Sequence, residues 1–540
     1  MSVLDPLTEG PRVHSRPRAG LGPVGAWARE HPLAFSSLVS VVLGALSCAI
    51  WKPFPGFDVQ SWINWGWAAS HPQSGGFVIK GGPSWKPLPV LFTTVYGLFG
   101  AAAPTLWMIT ARAGGILGLA GVFRLSFELT KRAGLPRWSG WVAGLVGCIG
   151  LIMTAPNIDG NWTHNFFRGT VEPGMIAAWL WAIDAILRRR HLLAYTLVAA
   201  EGLMRPEAWL FLFAYGVWLW FTCPRLRVWV VICLIAQPAA WFLPPGLSTG
   251  HPFMAATNAH SFNGQLGAHW LRALLLRAYH LQSLPTLIFA AGASLAALWR
   301  QRAHLAVWNA RKRGALFRSR DNLTLSLAAL SFAWWLIVVV ETAAGYPGLQ
   351  RFFYPATATV CVLSGLGFVE IVAFAARRAE RSLGAGGPAG AFDHRRGALI
   401  VAIGVGSVLA VASYPFISSR LAFARIQNTQ LNIERAQLHE LGVAIAALGG
   451  TKALLPCKLS YVQINNTFKP QLAWELDVAM PRVRTLRTPG VVFLTRPTQY
   501  DGRMNPFGPG LHYRRDLGRW GDWSVYQVYR NGPKPACVGD

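Results

Sequence analysis

Asp58 is the only carboxylate between residues 52 and 103, a segment that also carries Lys80 and Lys86. A carboxylate can take a proton from a hydroxyl, and ammonium groups can hold a departing phosphate. The ordinary alternative for Asp58 is a helix N-cap ahead of Val59-Gln60-Ser61-Trp62, and the two roles are compatible. Asn157-Ile158-Asp159-Gly160-Asn161-Trp162-Thr163-His164 supplies a second carboxylate beside an imidazole, or a plain turn built from Asp and Asn. Arg168 and Glu172 follow four residues apart, spaced to pair on one helix face, where Glu172 also suits a helix N-terminus. Arg205-Pro206-Glu207 places opposite charges at a helix breaker, as a functional pair or as a structural ion pair of Arg205 with Glu207 or Glu201. Arg351, in Gly345-Tyr346-Pro347-Gly348-Leu349-Gln350-Arg351-Phe352-Phe353-Tyr354, is a phosphate contact or an interfacial anchor. The chain has no Walker loop, dinucleotide fingerprint, CxxC pair or His-x-x-x-His helix, so no nucleotide or zinc motif competes.

These residues sit among long apolar runs. Of 540 residues, 53% are hydrophobic and only 14% charged, where a soluble chain carries about a quarter charged. The formal charge of +27 gathers in tufts between the apolar runs, the pattern of membrane insertion rather than of nucleic-acid binding. Apolar windows predict eleven transmembrane helices near 33–51, 104–127, 138–156, 170–187, 191–204, 206–221, 226–244, 284–299, 322–341, 352–376 and 397–416. The first lacks a cleavage site and reads as a signal anchor behind a disordered cytoplasmic tail, residues 1–31. Segment 191–221 is one kinked helix or a hairpin turning at Met204-Arg205-Pro206-Glu207. The hairpin puts fourteen later basic residues inside, against Arg272, Arg277 and Arg351 outside, so it is preferred. Its arms of about 15 residues reach only about 22 Å of a core of about 30 Å, which leaves Arg205 and Glu207 at membrane depth, lining a cavity. Arg112, in mid-span, needs a buried partner such as Glu172 or Glu201.

The outer segment 52–103 contains two expected interfacial helices, Val59–Ser70 and Pro87–Phe99. The membrane domain runs from residue 32 to 416, and residues 417–540 form a small extracytoplasmic α/β domain. There an amphipathic helix over Leu421–Leu448 precedes strand-like runs at Ala453–Ile464, Val491–Thr495 and Ser524–Tyr529. Cys457 and Cys537 bracket this domain and read as a disulfide or as two buried thiols. Trp474, Trp520 and Trp523 are candidate acceptor-stacking faces or core residues.

Asp58, then Ser84-Trp85-Lys86-Pro87-Leu88-Pro89, then Leu98-Phe99-Gly100, resembles the first outer loop of GT-C glycosyltransferases. It is most similar to the protein O-mannosyltransferase and lipid A aminoarabinose transferase group. Arg205-Pro206-Glu207 also resembles a turn common in bacterial GT-C proteins. The resemblance implies a GT-C fold, Asp58 in the catalytic centre with Asp159 assisting, and Lys86 on the donor phosphate. Single Asp58 followed by Val59, and Trp85 where the aminoarabinose transferases have Glu, depart from those patterns. The expected function is sugar transfer from a polyprenyl-phosphate donor to an extracytoplasmic glycan, glycolipid or protein. Asp58 is the base, Lys86, Arg205 and Arg351 hold the phosphate, and Glu207, His164 and Glu172 support them. A divalent cation is an open possibility, and nucleic acid is not an expected partner. The rival classes are a lipid-linked-sugar transporter or flippase and a non-catalytic scaffold of envelope assembly. The richness in Ala, Gly, Arg and Trp fits a high-GC bacterium, hence a bacterial plasma membrane and arabinofuranose or mannose as donor sugars.

Overall fold

A computed structural model describes residues 23–71, 77–260, 269–305, 320–384, 391–457, 460–485, 490–495 and 513–529. Every apolar segment expected to span is helical. The helices are Pro32–Ile50, Ala103–Arg132, Arg137–Ile152, Glu172–Leu187, His191–Gly202, Trp209–Thr222, Arg227–Thr249, Leu284–Leu305, Arg320–Ala343, Tyr354–Gly384 and the first part of Ala391–Ala447. Among the described residues six helices alone are long and apolar enough to cross a membrane, and eight if two bent pairs count as spans. The outward faces carry an apolar belt, with Ile50, Phe221, Ile235, Trp299, Phe332 and Val411 all exposed. A surface of that kind is stable against lipid and not against water.

The hairpin expected at Arg205 is present. His191 packs on Trp218 with ring centroids 5.2 Å apart and Tyr195 on Tyr215 at 5.9 Å, as antiparallel arms require. Pro206 has no N–H for the carbonyl of Gly202, four residues back. That carbonyl accepts instead from the indoles of Trp209 at 3.1 Å and Trp241 at 2.9 Å, so the broken backbone stays satisfied in an apolar setting.

A seam of small residues sets the position of Glu172. A Cβ on Gly114 would lie 3.1 Å from Gly174 Cα, and one on Gly118 3.2 Å from the Pro173 carbonyl. The helices Ala103–Arg132 and Glu172–Leu187 therefore approach backbone to backbone, as small residues permit between membrane helices. Glu172–Leu187 is bent by 110° from the short helix Trp162–Arg168. The bend is made at Gly169, whose φ of +72° and contact with Met108 exclude a side chain.

Several expectations change. Pro23–Glu30 is helical where the sequence reading has a disordered tail. The helix Phe57–Ser70 has Val59 through Gly66 all buried, packed between the helix Pro87–Gly97 and the helix Lys469–Glu475 of the C-terminal domain. The predicted span 397–416 and amphipathic helix 421–448 are one unbroken helix of 57 residues, Ala391–Ala447, so the boundary set at residue 416 falls inside it.

The C-terminal domain has a five-stranded mixed sheet. In chain order the strands are β1 (Val462–Gln463), β2 (Val483–Arg484), β3 (Gly490–Leu494), β4 (Tyr513–Trp520) and β5 (Trp523–Tyr529), and their order in the sheet is β2-β1-β3-β5-β4. β1 pairs parallel with β2 and β3, and β5 antiparallel with β3 and β4. The sequence reading missed β2, β4 and the helix Lys469–Glu475. Trp523 is fully buried with its indole donating to the Gln437 carbonyl at 2.7 Å, so it is core and not an acceptor face. Trp520 packs against the same core, and Trp474 sits edge-on to Trp67 at 5.5 Å. Cys48, Cys148, Cys223, Cys233 and Cys361 are free thiols. The expected Cys457–Cys537 pairing involves Cys537, which lies outside the described residues.

Candidate active site

Five chain segments bring ionised groups to one end of the helical bundle, beneath the C-terminal domain. The first-loop helix Phe57–Ser70 carries Asp58 in its first turn. Gly56 is the N-cap and no side chain caps the helix, so the capping alternative for Asp58 is not the one adopted. Lys86 stands immediately before Pro87–Gly97, whose Leu88 N–H donates to the Leu203 carbonyl at 3.2 Å. That bond ties the lysine segment to the Arg205 turn. Arg351 lies in a single turn, Gln350–Phe353. The turn is held by Arg277, which donates to the carbonyls of Pro347 and Gly348 at 3.0 and 3.1 Å.

Glu172 is the hub. It accepts from Arg205 Nη2 at 2.6 Å and lies 3.6 Å from Lys86 Nζ and 3.9 Å from Arg351 Nε. Arg351 Nη1 reaches Asp58 Oδ2 at 3.3 Å, and Arg205 Nη1 lies 3.5 Å from Glu207. The network thus runs Asp58, Arg351, Glu172, then Lys86 and Arg205, then Glu207. Lys86, Glu172, Arg205 and Glu207 are buried, and the Arg205 guanidinium stands 4.0 Å from the Phe352 ring centre. Burial pushes the Lys86 ammonium down to about 7, Arg205 and Arg351 push the same way, and Glu172 and Asp58 oppose them.

Two pairings expected along the chain do not form. Arg168 bonds to Glu434 of the long C-terminal helix and not to Glu172. Arg112 meets neither Glu172 nor Glu201. It donates to the carbonyls of Ser47 and Trp51, at 2.9 and 2.8 Å, and so caps the first span. Glu201 touches Arg205 only through backbone, its carbonyl accepting from Arg205 N at 2.8 Å.

Two cavities meet at this cluster. One, of about 220 Å³, is an apolar groove whose lining includes Leu88, Phe92, Trp107, Gly174 and Met204. Leu88 stands two residues after Lys86, Val171 just before Glu172 and Met204 just before Arg205, so the groove ends where the charges begin. The other, of about 270 Å³, is polar and is lined by Asp58, Asp159, His164, Arg168, Arg351 and Asn466 among others. Thr170 lines both. Asp159 therefore shares a cavity with Asp58, and His164 borders it with Nδ1 2.8 Å from Gln427 Oε1. Lys80, in contrast, has no place in this network among the described contacts. Asn466 and Thr467, which line the cavity, and Glu434 and Gln427, which hold Arg168 and His164 of its lining, escaped the sequence reading, because nothing local ties such distant residues to a site built on the first loop. Among the described residues no group of three or more His, Cys, Asp and Glu side chains is arranged to hold a metal ion.

Fold and site together define a multi-span membrane protein with a buried ionised cluster set between an apolar groove and a polar cavity. No protein-family model matches the chain, and neither does any curated protein. Among solved structures it is similar to ArnT from Cupriavidus metallidurans in the apo state, at 13% identity and a TM-score of 0.49. The similarity covers 94% of this chain and 100% of that one, at a score too low to support a conclusion.

Proposed function

We propose that this protein is a membrane glycosyltransferase of the GT-C type, moving a sugar from a polyprenyl-phosphate donor to a hydroxyl acceptor on the extracytoplasmic side. One observation carries the reading: buried Lys86 and Arg205 and half-buried Arg351 converge on Glu172, next along the chain to residues that line the apolar groove, with Arg351 itself lining the polar cavity. A prenyl chain fits the groove, its phosphate fits the cations, and the sugar then projects toward Asp58.

In the reaction the acceptor oxygen attacks the anomeric carbon while Asp58 takes its proton. The bond from the anomeric carbon to the phosphate oxygen breaks, and its electron pair leaves with the polyprenyl phosphate. The leaving phosphate gains negative charge, which Lys86, Arg205 and Arg351 offset through charge-assisted contacts. Glu172 holds the three cations together before donor arrives. Asp159, across the same cavity, orients the acceptor. The experiment is incubation of purified protein with polyprenyl-phosphate mannose and polyprenyl-phosphate arabinofuranose, scored by release of the lipid phosphate. Asp58→Asn should lower turnover by about 10²-fold or more with donor binding retained. Normal turnover in Asp58→Asn together with a dead Asp159→Asn exchanges the two roles, and no release from any donor refutes the reading.

A further inference from the structure

The polar cavity is closed on one side by the C-terminal domain. Asn466 and Thr467 line it, from the turn between β1 and the helix Lys469–Glu475. That turn is fixed from both sides. Asn465 Oδ1 accepts from Phe468 N at 3.1 Å, and buried Phe468 packs edge-on against Phe54 of the first loop at 6.2 Å. Gln471 Nε2 donates to the Pro55 carbonyl at 3.0 Å, and Asn64 Nδ2 to the Pro470 carbonyl at 2.8 Å. Asn466 and Asp58 are thus mounted on one interlocked unit. The Asn466 side chain is exposed to the cavity, and among the described residues its amide makes no hydrogen bond.

The charges of the cavity are already matched. Arg351 is bonded to Asp58, and Arg168 is bonded to Glu434. The lining thus holds two carboxylates, Asp58 and Asp159, and two guanidiniums that are both already engaged by carboxylates, before the donor phosphate adds its own negative charge next door. An anionic acceptor would meet repulsion there, whereas a neutral one would not. A primary amide offers one donor edge and one acceptor edge side by side, which suits a pair of neighbouring hydroxyls.

Resting on the glycosyltransferase reading, we infer that the acceptor is an uncharged polyhydroxy compound, a glycan end. Asn466 of the C-terminal domain is the residue that reads its hydroxyl pair opposite Asp58. The probes are octyl glycosides and the same glycosides carrying a terminal phosphate, offered to the full-length protein with polyprenyl-phosphate mannose and polyprenyl-phosphate arabinofuranose. Neutral glycosides should be used at least about tenfold better in kcat/KM than their phosphorylated forms. Asn466→Ala should raise the KM for the neutral acceptor about tenfold, the worth of a lost pair of hydrogen bonds, and move kcat less. Asn466→Asp, which keeps the shape but loses the N–H donors and adds charge, should be at least as impaired. Thermal unfolding of both variants at the wild-type temperature keeps the result from being a folding defect. Equal use of phosphorylated acceptors, or an unchanged KM in Asn466→Ala, overturns the inference while transfer itself stands. Absence of lipid-phosphate release with every acceptor overturns the glycosyltransferase reading and this inference with it.

Discussion

Under the proposed function, Lys86 makes donor binding pH-sensitive in a calculable way. Its ammonium titrates near 7 in the free protein because it is buried between Arg205 and Arg351, with Glu172 as its near anion. A phosphodiester donor keeps one negative charge across the neutral range, so the pH dependence of its binding reports the lysine. About nine-tenths of the protein carries the ammonium at pH 6, about half at pH 7 and about one-hundredth at pH 9. If the ammonium is required, donor Kd rises about 10²-fold between pH 6 and 9, with a proton taken up on binding at the upper end. A charge-assisted hydrogen bond is worth about 1.5–3 kcal/mol, and two guanidiniums still face the phosphate, so the rise levels off at about 10- to 100-fold. The stability of the free protein runs the other way. The folded lysine titrates below its ordinary 10.5, so the unfolded chain holds more protons between about 7 and 10.5. Stability therefore rises with pH through that window, by at most about 1.4 kcal/mol per pH unit. The assay is calorimetric titration of detergent-solubilised protein with a short-chain polyprenyl-phosphoryl mannoside at pH 6, 7, 8 and 9, repeated on Lys86→Arg. A flat Kd in the wild type, or a slope that persists in Lys86→Arg, refutes the reasoning.

Glu434→Gln removes the charge that Glu434 places against the buried Arg168 guanidinium and should cost about 3–5 kcal/mol, seen as a lower unfolding temperature; an unchanged temperature would remove the pair from the structural account. Reporter fusions at Arg189 and Arg378 should report cytoplasm and fusions at His260 and after Cys457 the opposite side, and an external Arg378 would invalidate the sidedness assigned to the site. Non-reducing mass spectrometry of protein taken from its membrane should find Cys457 linked to Cys537, and free alkylation of both would retire the disulfide.

The helices were legible because lipid tolerates few alternatives: an apolar run of sufficient length in such a chain has to satisfy its backbone internally. Arg205 was legible for a related reason, since charges beside a helix break in an apolar chain are scarce and costly; Asp58 and Lys86 stood out by their place in a first outer loop that resembles the GT-C pattern, and Arg351 by its place at the outer end of a span. Glu172 was undervalued. A glutamate in a first helical turn has an ordinary explanation in the helix dipole, and only the close glycine seam with Ala103–Arg132 turns it toward three cations. Glu434 and Asn466 were illegible because what they face, Arg168 and the cavity beside Asp58, lies far away in the chain, and an amphipathic pattern around Glu434 reads equally well as a wet surface. β4 was missed because Arg515, Asp516 and Arg519 are exposed, which gives an outer strand little apolar alternation to detect.

The unbroken helix Ala391–Ala447 has a mechanical consequence. At about 1.5 Å per residue it is a rod of about 85 Å, and the orientation of the domain beyond it depends on helical phase. One residue inserted near Pro415 would turn everything after it by roughly 100°, swinging Asn466 away from the first loop unless the helix broke. Seven inserted residues would nearly restore the phase while lifting the domain by about 10 Å. Chimeras that exchange the C-terminal domain therefore have to be joined in register along a screw, and a junction that is correct by sequence alignment but out by one residue would separate the two halves of the cavity.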